Sequence, residues 1–281
     1  MGLPEPALID PETEARGPAR FRVTQSPRAQ AIARRRMEAD LRRAMDRGAV
    51  SLQYQMRVAL ASGEARGAEA LLRWSDRRRG LVSPAQFIPV AERSDLIVDL
   101  GGWALRHACR EAARWPGLRV SVNVSARQLH DGALLDQVAA ALDESGLVPE
   151  RLELELTESL LIEVGTETLL VLSAIRDLGV GLALDDFGTG YASLAVLKRL
   201  PLTAMKLDRS LVRDLPGDRE DAAIVRAVVE TGHALGLLVV AEGVETEAQR
   251  AFLASIGCDE GQGYLFGQPV PPTALEWRRT G

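Results

Sequence analysis

The chain has 281 residues, a hydrophobic content of 46% and a formal net charge of −5 at pH 7. This length suits one large domain or two ordinary ones, and the negative charge argues against a general binder of polymeric nucleic acid. No run of about 18 apolar residues is present, so no membrane span is expected, and the first ten residues do not resemble a secretory signal. The two isolated cysteines, Cys109 and Cys258, are typical of a cytoplasmic protein with reduced thiols.

The N-terminal part of the chain divides into two segments. Residues 1–27 contain several prolines and little apolar periodicity, which predicts a tail or linker. Residues 28–47 have helical periodicity, and the predicted buried stripe consists of Ile32, Met37, Leu41 and Met45. Three arginines from Arg34 to Arg36 suggest contact with nucleic acid, but their acidic neighbours favour a solvated helix face. Residues 28–281 are interpreted as one barrel domain with this leading helix.

Beyond Gly48, strand-like segments alternate with helix-like segments. The predicted strands are residues 50–58, 67–74, 118–124, 151–157, 180–185, 204–208, 237–242 and a short one within 258–264. The predicted helices are residues 84–93, 98–115, 132–145, 167–177, 194–199, 221–235 and 247–256. Such alternation indicates parallel strands with crossover helices, and eight strands favour an α/β fold of the TIM-type (βα)8 class. Two helices between residues 74 and 118 indicate an irregular barrel.

Alternation within the strands predicts which side chains point into the barrel. Between residues 152 and 157, leucines alternate with Glu153, Glu155 and Thr157. The leucines are therefore expected to pack on the helices, and the polar side chains to face the interior. Buried carboxylates are costly unless a metal or a partner compensates their charge. The pattern is hard to explain as an ordinary core.

Polar residues occur in or at the ends of predicted strands along the whole chain. They are Glu69, Asn123, Glu155, the adjacent pair Asp185 and Asp186, Lys206, Glu242 and Gln262. From one strand to the next their spacing is 20 to 54 residues, which averages about one strand–helix unit. We therefore expect these side chains to converge at one rim of the barrel.

The oxygen-rich composition of this set predicts the kind of metal that it would bind. Carboxylates and an amide, without histidine or cysteine, favour Mg²⁺ or Mn²⁺ over zinc. The adjacent Asp185 and Asp186 suit two ions, an arrangement that serves in-line phosphoryl displacement. Lys206 would position a water or a phosphate, and the alternative is that it is only an ion-pair partner for the acids.

These residues lie in motifs that resemble the EAL-domain cyclic di-GMP phosphodiesterases. The motifs, in the family's order, are Glu69-Ala70-Leu71 with Arg73, Asn123-Val124-Ser125, Glu155-Leu156-Thr157-Glu158, Asp185-Asp186-Phe187-Gly188-Thr189-Gly190, Lys206-Leu207-Asp208, Glu242-Gly243-Val244-Glu245 and Gln262-Gly263. The similarity extends from about residue 39 to residue 272. It implies a barrel with one antiparallel strand, two Mg²⁺ or Mn²⁺ ions, and hydrolysis of the bacterial second messenger cyclic di-GMP to linear pGpG.

The resemblance also implies a role for each matched residue. The implied metal ligands are Glu69, Asn123, Glu155, Asp185, Asp186 and Glu242. The implied substrate contacts are Gln55, Arg73, Asp208 and Gln262. Catalytic roles fall to Lys206, Glu242, Asp186 and Glu158, with Glu158 and Glu245 as supporting acids. Glu158 is expected to accept hydrogen bonds from backbone N–H groups of the loop at residues 187–191.

The sequence departs from the family pattern at two positions. Met56 stands where the family usually has proline, and Ala192 stands where serine is frequent. Met56 is expected to alter the geometry of the first strand without loss of catalytic chemistry. Ala192 is expected to affect the rigidity of the loop after the paired aspartates. Residues 21–36 resemble the linker that follows a GGDEF domain. The usual regulatory input is expected either to be missing or to come from a partner chain that acts through this segment, and a homodimer is expected.

Two other functions compete with hydrolysis of cyclic di-GMP. A receptor would hold cyclic di-GMP without cutting it, but non-catalytic relatives tend to lose metal ligands, and every matched ligand position is filled here. A metal-dependent lyase would also combine acidic ligands at strand ends with a lysine base. The pair Asp185 and Asp186 favours two ions and phosphoryl transfer over the lyase.

Overall fold

A computed structural model describes residues 26–115, 117–158, 165–188 and 194–275. Most of the predicted N-terminal tail lies outside the described residues. The same holds for Ala192 and for Thr189 and Gly190 of the motif that follows the paired aspartates.

The described elements alternate as the sequence predicts. The strands are β1 (Val50–Ala59), β2 (Ala65–Asp76), β3 (Gly80–Val82), β4 (Arg119–Val124), β5 (Leu152–Thr157), β6 (Gly181–Phe187), β7 (Ala204–Leu207), β8 (Leu238–Ala241) and β9 (Glu260–Gln262). The helices are α1 (Pro27–Asp46), α2 (Pro84–Glu92), α3 (Leu96–Ala112), α4 (Ala126–His130), α5 (Leu134–Ser145), α6 (Thr166–Asp177), α7 (Leu194–Leu197), α8 (Arg209–Val212), α9 (Arg219–Ala234) and α10 (Glu247–Ser255). The unpredicted elements β3, α4 and α8 have three to five residues each, too few to show a hydrophobic period.

Eight strands form a closed ring, which confirms the TIM-type barrel. The order around the ring is β1-β9-β8-β7-β6-β5-β4-β2, the pairing of β1 with β2 closes it, and β3 lies outside against β2. β1 is antiparallel to both of its neighbours, as expected, and the other neighbouring pairs of the ring are parallel. Only residues 60–64 connect β1 to β2. Because a parallel crossover needs a dozen residues or more, this short connection forces the chain to turn back.

The two faces of the barrel strands differ as predicted. On β5, the side chains of Leu154 and Leu156 are fully buried in a large apolar cluster with residues of α3, α5 and α6. Glu153 and Glu155, on the opposite face, are also buried, because that face points into the closed ring. The outward-facing side chains therefore pack the strands against the helices, and polar side chains occupy the inside of the ring.

Helix α1 packs on α2, α3 and β2 through its second half. Leu41 is fully buried there, and Arg34 to Arg36 are exposed, as predicted for a solvated face. The prediction that Ile32 is buried is wrong, since its side chain is 58% exposed. The apolar cluster around Leu41 includes Met37 and Met45 but not Ile32. The apolar periodicity of α1 extends to Ile32, but no packed element among the described residues covers the helix at that position.

The turn after β9 requires a glycine for steric reasons. A Cβ atom on Gly263 would lie 2.1 Å from the carbonyl oxygen of Val244, whereas one on Gly267 would have no atom within 4 Å. Both residues have strongly positive φ angles, 159° and 141°. We expect Gly263→Ala to lower the free energy of unfolding by about 1–3 kcal/mol more than Gly267→Ala, because backbone must move to admit the methyl group. Urea denaturation of the two variants measures this difference, and equal losses would contradict the steric explanation.

Candidate active site

Lys206 is at the centre of the polar interior. Its side chain is fully buried on β7. Its Nζ lies 2.6 Å from Glu242 Oε1, 2.8 Å from Glu155 Oε2 and 3.0 Å from Asp185 Oδ1. A fourth carboxylate oxygen, Oε2 of Glu69, is 3.6 Å away. The ring thus brings together residues from strands that are far apart in sequence, as predicted, with one ammonium group among four carboxylates.

Side-chain amides orient the carboxylate of Glu69. Asn123 Nδ2 donates to Oε1 of Glu69 at 2.8 Å, and Gln262 Nε2 donates to Oε2 at 2.7 Å. Gln262 also donates to Gln55 Oε1 at 3.1 Å, and Gln55 donates to the carbonyl of Gly267 at 3.1 Å. The predicted ligand Asn123 and the predicted substrate contacts Gln55 and Gln262 therefore form one hydrogen-bonded network around Glu69.

Burial and mutual repulsion shift the pKa values of these acids. Burial, together with the charge of Glu69, holds the pKa of Glu155 well above its usual value, and burial raises the pKa of Glu242 to about 8. Burial opposes ionisation of Glu69, but the charge of Lys206 and the hydrogen bonds from Gln262 and Asn123 together outweigh it and lower the pKa of Glu69. Burial lowers the pKa of Lys206, but the surrounding carboxylates outweigh it and keep that pKa above its usual value. One ammonium group does not balance the negative charge of this site.

The residues present fit hard divalent cations. Asp185, Asp186 and Glu242 each offer an oxygen, and these three oxygens lie within 4.8 Å of one another. Oε1 of Glu155 is buried and has no hydrogen-bond partner in the described part of the chain. Oxygen-only ligands in excess over the available positive charge suit such cations.

A distortion of β6 allows two adjacent aspartates to face the same cleft. Successive side chains of a regular strand point to opposite faces. The pairing of β6 with β7 shifts register between Leu184 and Phe187, and Asp186 has a φ of 56°, the only positive value among the described non-glycine residues. Such a conformation costs about 1–3 kcal/mol and is typical of functional sites. Asp185 and Asp186 both line the resulting cleft.

Glu158 supports the start of the loop after β6, as predicted. Its side chain is 4% exposed, and its Oε2 accepts a hydrogen bond from the backbone N–H of Gly188 at 3.2 Å. The contact lies two residues beyond Asp186. Glu158 is thus in a position to hold the backbone that carries the paired aspartates.

The cleft above the carboxylates has a volume of about 360 Å³. Besides the acidic residues, Gln55 and Gln262, it is lined by Arg209, Tyr264 and the exposed Glu245. Asp208 is not among its lining residues, because its side chain accepts from the Ser210 N–H at 2.9 Å and caps α8.

Arg73 lines a neighbouring, mostly apolar cleft of about 300 Å³ rather than the acidic one. Leu71 borders both clefts. The guanidinium of Arg73 donates to Gln53 Oε1 at 2.7 Å and to the carbonyl of Leu72 at 2.9 Å. These bonds hold Arg73 beside the acidic cleft and outside the carboxylate cluster.

A second buried ion network lies one layer deeper, and sequence reasoning missed it. Arg57 on β1 is 2.6 Å from both Glu153 Oε1 and Glu260 Oε2, and Arg119 also pairs with Glu260. Burial opposes ionisation of Glu153, but the charge and hydrogen bond of Arg57, together with the charges of Arg119 and Lys206, outweigh it and lower the pKa of Glu153. Arg57 follows Gln55 on the inward face of β1, a spacing that could have identified it.

A comparison with known families agrees with this geometry. The family model described as the EAL domain matches residues 38–269. The chain belongs to the EAL domain family. Within the described residues of this EAL domain, no helix has the length and apolarity required to span a membrane.

Similar proteins include larger members of the family. The chain is 45% identical over 241 residues to the bifunctional diguanylate cyclase/cyclic di-GMP phosphodiesterase MucR of Pseudomonas aeruginosa, covering 84% of this EAL domain chain and 35% of MucR. It is 42% identical over 244 residues to the cyclic di-GMP phosphodiesterase PdeR of Escherichia coli, covering 85% and 37%. The chain therefore spans little more than a third of the length of these relatives.

Solved structures show the same fold. The phosphodiesterase structure of Pseudomonas aeruginosa MucR in complex with c-di-GMP has a TM-score of 0.81 and 44% identity, covering 86% of this chain and all of that one. The EAL enzyme Bd1971 bound to cAMP and cyclic-di-GMP has a TM-score of 0.83 and 30% identity, covering 87% and 68%.

The contact between Glu158 and Gly188 can be tested through amide exchange. Glu158→Ala removes the acceptor, whereas Glu158→Gln retains an oxygen at the same reach. A hydrogen bond to a charged group contributes about 1.5–3 kcal/mol, so the alanine variant should raise the exchange rate of the Gly188 amide roughly ten- to a hundredfold. The glutamine variant should raise it much less. Hydrogen exchange followed by NMR gives both values, and unchanged exchange in Glu158→Ala would refute the contact.

The deeper ion network can be tested through stability. Arg57→Met leaves Glu153 and Glu260 buried without their shared cation, and we expect a loss of about 3–5 kcal/mol in the free energy of unfolding. Adding Glu153→Gln should recover part of this loss, because it removes the buried charge that had paired with Arg57, whereas Glu260 keeps its pair with Arg119. Arg213→Met breaks an exposed pair with Asp214 and should cost less than about 1 kcal/mol. Denaturant unfolding compares the four proteins, and similar losses for Arg57→Met and Arg213→Met would contradict this role of Arg57.

Proposed function

We propose that this EAL domain hydrolyses cyclic di-GMP to linear pGpG with two bound Mg²⁺ or Mn²⁺ ions. The observation that carries the proposal is the buried set of carboxylates around Lys206, which holds more negative charge than one ammonium can balance. Support also comes from MucR and PdeR, both named as cyclic di-GMP phosphodiesterases, and from the MucR complex with c-di-GMP.

The two ions would share the carboxylates of the interior. Glu69, Asn123, Glu155 and Asp185 would hold one ion. Asp185, Asp186 and Glu242 would hold the other. When bound, a pair of such ions supplies an activated water and stabilises the leaving oxygen of an in-line phosphoryl displacement.

Lys206 and Glu242 would act on the attacking water. In this role the ammonium of Lys206 orients the water, and the carboxylate of Glu242 accepts its proton. Burial raises the pKa of Glu242 to about 8, and cations bound beside this carboxylate would favour its ionised form. Asp186 is half-buried, and burial together with Asp185 raises its pKa in the same direction.

The remaining predicted residues act on the substrate or on the ligands. Arg73, held by Gln53, presents a guanidinium fork suited to a substrate phosphate. Gln55 and Gln262, which line the acidic cleft, would contact the substrate. For Asp208 the same role would require its side chain to leave the cap of α8. Glu158 positions the loop after β6, and Glu245 supports the rim. We also propose that the chain functions in the cytoplasm as a homodimer, under a regulatory partner that acts through its N-terminal segment.

The proposal is tested by incubating the purified full chain with cyclic di-GMP and separating the products by chromatography. Mg²⁺ or Mn²⁺ should support conversion to pGpG. Ca²⁺ should permit binding but inhibit hydrolysis, because it is larger and geometrically less strict. Excess chelator should abolish turnover. Asp185→Asn serves as the control for a contaminating hydrolase and should be inactive.

Two results would contradict this proposal. Rapid hydrolysis in excess chelator would exclude the metal mechanism. Binding of cyclic di-GMP with no product in either Mg²⁺ or Mn²⁺ would favour the receptor that holds the nucleotide without cutting it.

A further inference from the structure

An arginine-rich cleft lies on the outside of the barrel, where helix α1 meets the turn between β2 and β3. It has a volume of about 780 Å³, the largest of the three clefts described. Its lining includes two acids, Asp40 and Asp76, and six arginines, Arg36, Arg43, Arg47, Arg77, Arg78 and Arg79. Four positive charges in excess are thus concentrated on a chain whose formal net charge is −5. The proposed active site uses none of these residues.

The arginines of α1 form one row. Arg36, Asp40 and Arg43, followed by Arg47 at the C-cap, are spaced by three or four residues, which places them along one side of the helix. Arg36 and Arg47 are separated by about 16 Å along the helix axis, at about 1.5 Å per residue. The turn arginines line the same cleft. The cleft therefore presents positive charge in an elongated form.

Part of this charge is held in place and part is free to bind. Asp40 accepts from Arg43 at 2.6 Å and from Arg79 at 2.7 Å, which ties the helix to the turn. The side chains of Arg36, Arg77 and Arg78 form no hydrogen bond or ion pair with any residue that the structure describes. All three side chains are exposed. The helix and the turn, joined through Asp40, thus carry three unpaired guanidinium groups.

The form of the cleft selects among anions. Among the described residues that line it, Trp74 is the only aromatic one, and its fully buried ring offers no face on which a nucleotide base could stack. A long nucleic acid would also extend beyond the cleft towards a chain of net negative charge. Guanidinium groups bind carboxylates through paired hydrogen bonds. An extended peptide rises about 3.3 Å per residue, so about five residues match the length of the row.

We propose that this arginine cleft is a docking site for an extended acidic segment of a polypeptide. The carboxylates of such a segment would pair with Arg36, Arg77 and Arg78. The cleft also adjoins the C-terminal end of β2, the strand that carries Glu69 and Arg73. This proposal does not depend on the hydrolysis of cyclic di-GMP, and it assigns a chemistry to the regulatory partner proposed above.

The test uses fluorescein-labelled hexaglutamate as the probe and the full chain without cyclic di-GMP. Fluorescence anisotropy at low salt should show binding of hexaglutamate that weakens as salt is added, because exposed charges are screened. Labelled hexaglutamine, of similar size but uncharged, should not bind. Equal binding of the two peptides would overturn the proposal.

Two variants with the same change in charge localise the binding. The cleft variant combines Arg36→Gln, Arg77→Gln and Arg78→Gln. The control combines Arg28→Gln, Arg34→Gln and Arg35→Gln, three exposed arginines of α1 that do not line the cleft. We expect the cleft variant to weaken binding of hexaglutamate at least tenfold and the control less than threefold. Equal weakening would mean that the peptide responds only to overall charge, and would overturn the proposal.

Two further measurements complete the test. Both variants should keep the wild-type melting temperature, because the replaced side chains are exposed; a fall confined to the cleft variant would assign these arginines a structural role instead. Tripolyphosphate serves as a competitor of different chemistry. If tripolyphosphate at equal charge concentration does not displace hexaglutamate, the cleft prefers carboxylates to phosphates, which supports the proposal. If tripolyphosphate binds the cleft and hexaglutamate does not, the site is a phosphate site and the proposal is wrong.

Discussion

The concentration of carboxylates inside a closed barrel is the constraint on which the rest of the structure depends. Burying one charge is unfavourable, and burying several of the same sign is more so. Lys206 lies among Glu69, Glu155, Asp185 and Glu242, and its single positive charge compensates only part of their negative charge. The raised pKa values of Glu155 and Glu242 reflect the negative charge that Lys206 does not compensate. Divalent cations would compensate this remaining negative charge. The arrangement that is unfavourable for folding is therefore suited to metal-dependent chemistry.

The surrounding architecture limits how far these groups can relax. The amides of Asn123 and Gln262 hold Glu69 from two sides. One layer below, Arg57 bonds to β5 and β9 through Glu153 and Glu260, two residues before Glu155 and Gln262 respectively. Outside the ring, fully buried leucines of β5 prevent the strand from turning its polar face away. The polar interior is therefore enclosed by an apolar layer, and burial of that layer fixes which face of β5 points inward.

Backbone geometry at two places converts this interior into an asymmetric site. The antiparallel course of β1 brings Gln55 opposite Glu69 and Arg57 opposite Gln262. The distortion at Asp186 and the bond from Gly188 to Glu158 direct two adjacent aspartates into one cleft. A regular course of β6 would point one of these two adjacent aspartates towards the helices instead.

Much of this protein could be predicted from the sequence, because hydrophobic period and motif order are local properties. Alternation in residues 152–157 identified the inward-facing acids, and the ordered motifs around Glu69, Asp185 and Lys206 indicated the family and the members of the site. Tertiary structure alone decided what depends on distant neighbours. It determined that Ile32 is exposed, that Arg57 joins Glu153 to Glu260, and that arginines of α1 and of the β2–β3 turn form one cleft. A periodic pattern shows which side of an element is apolar, but only the packed fold decides whether another element covers that side.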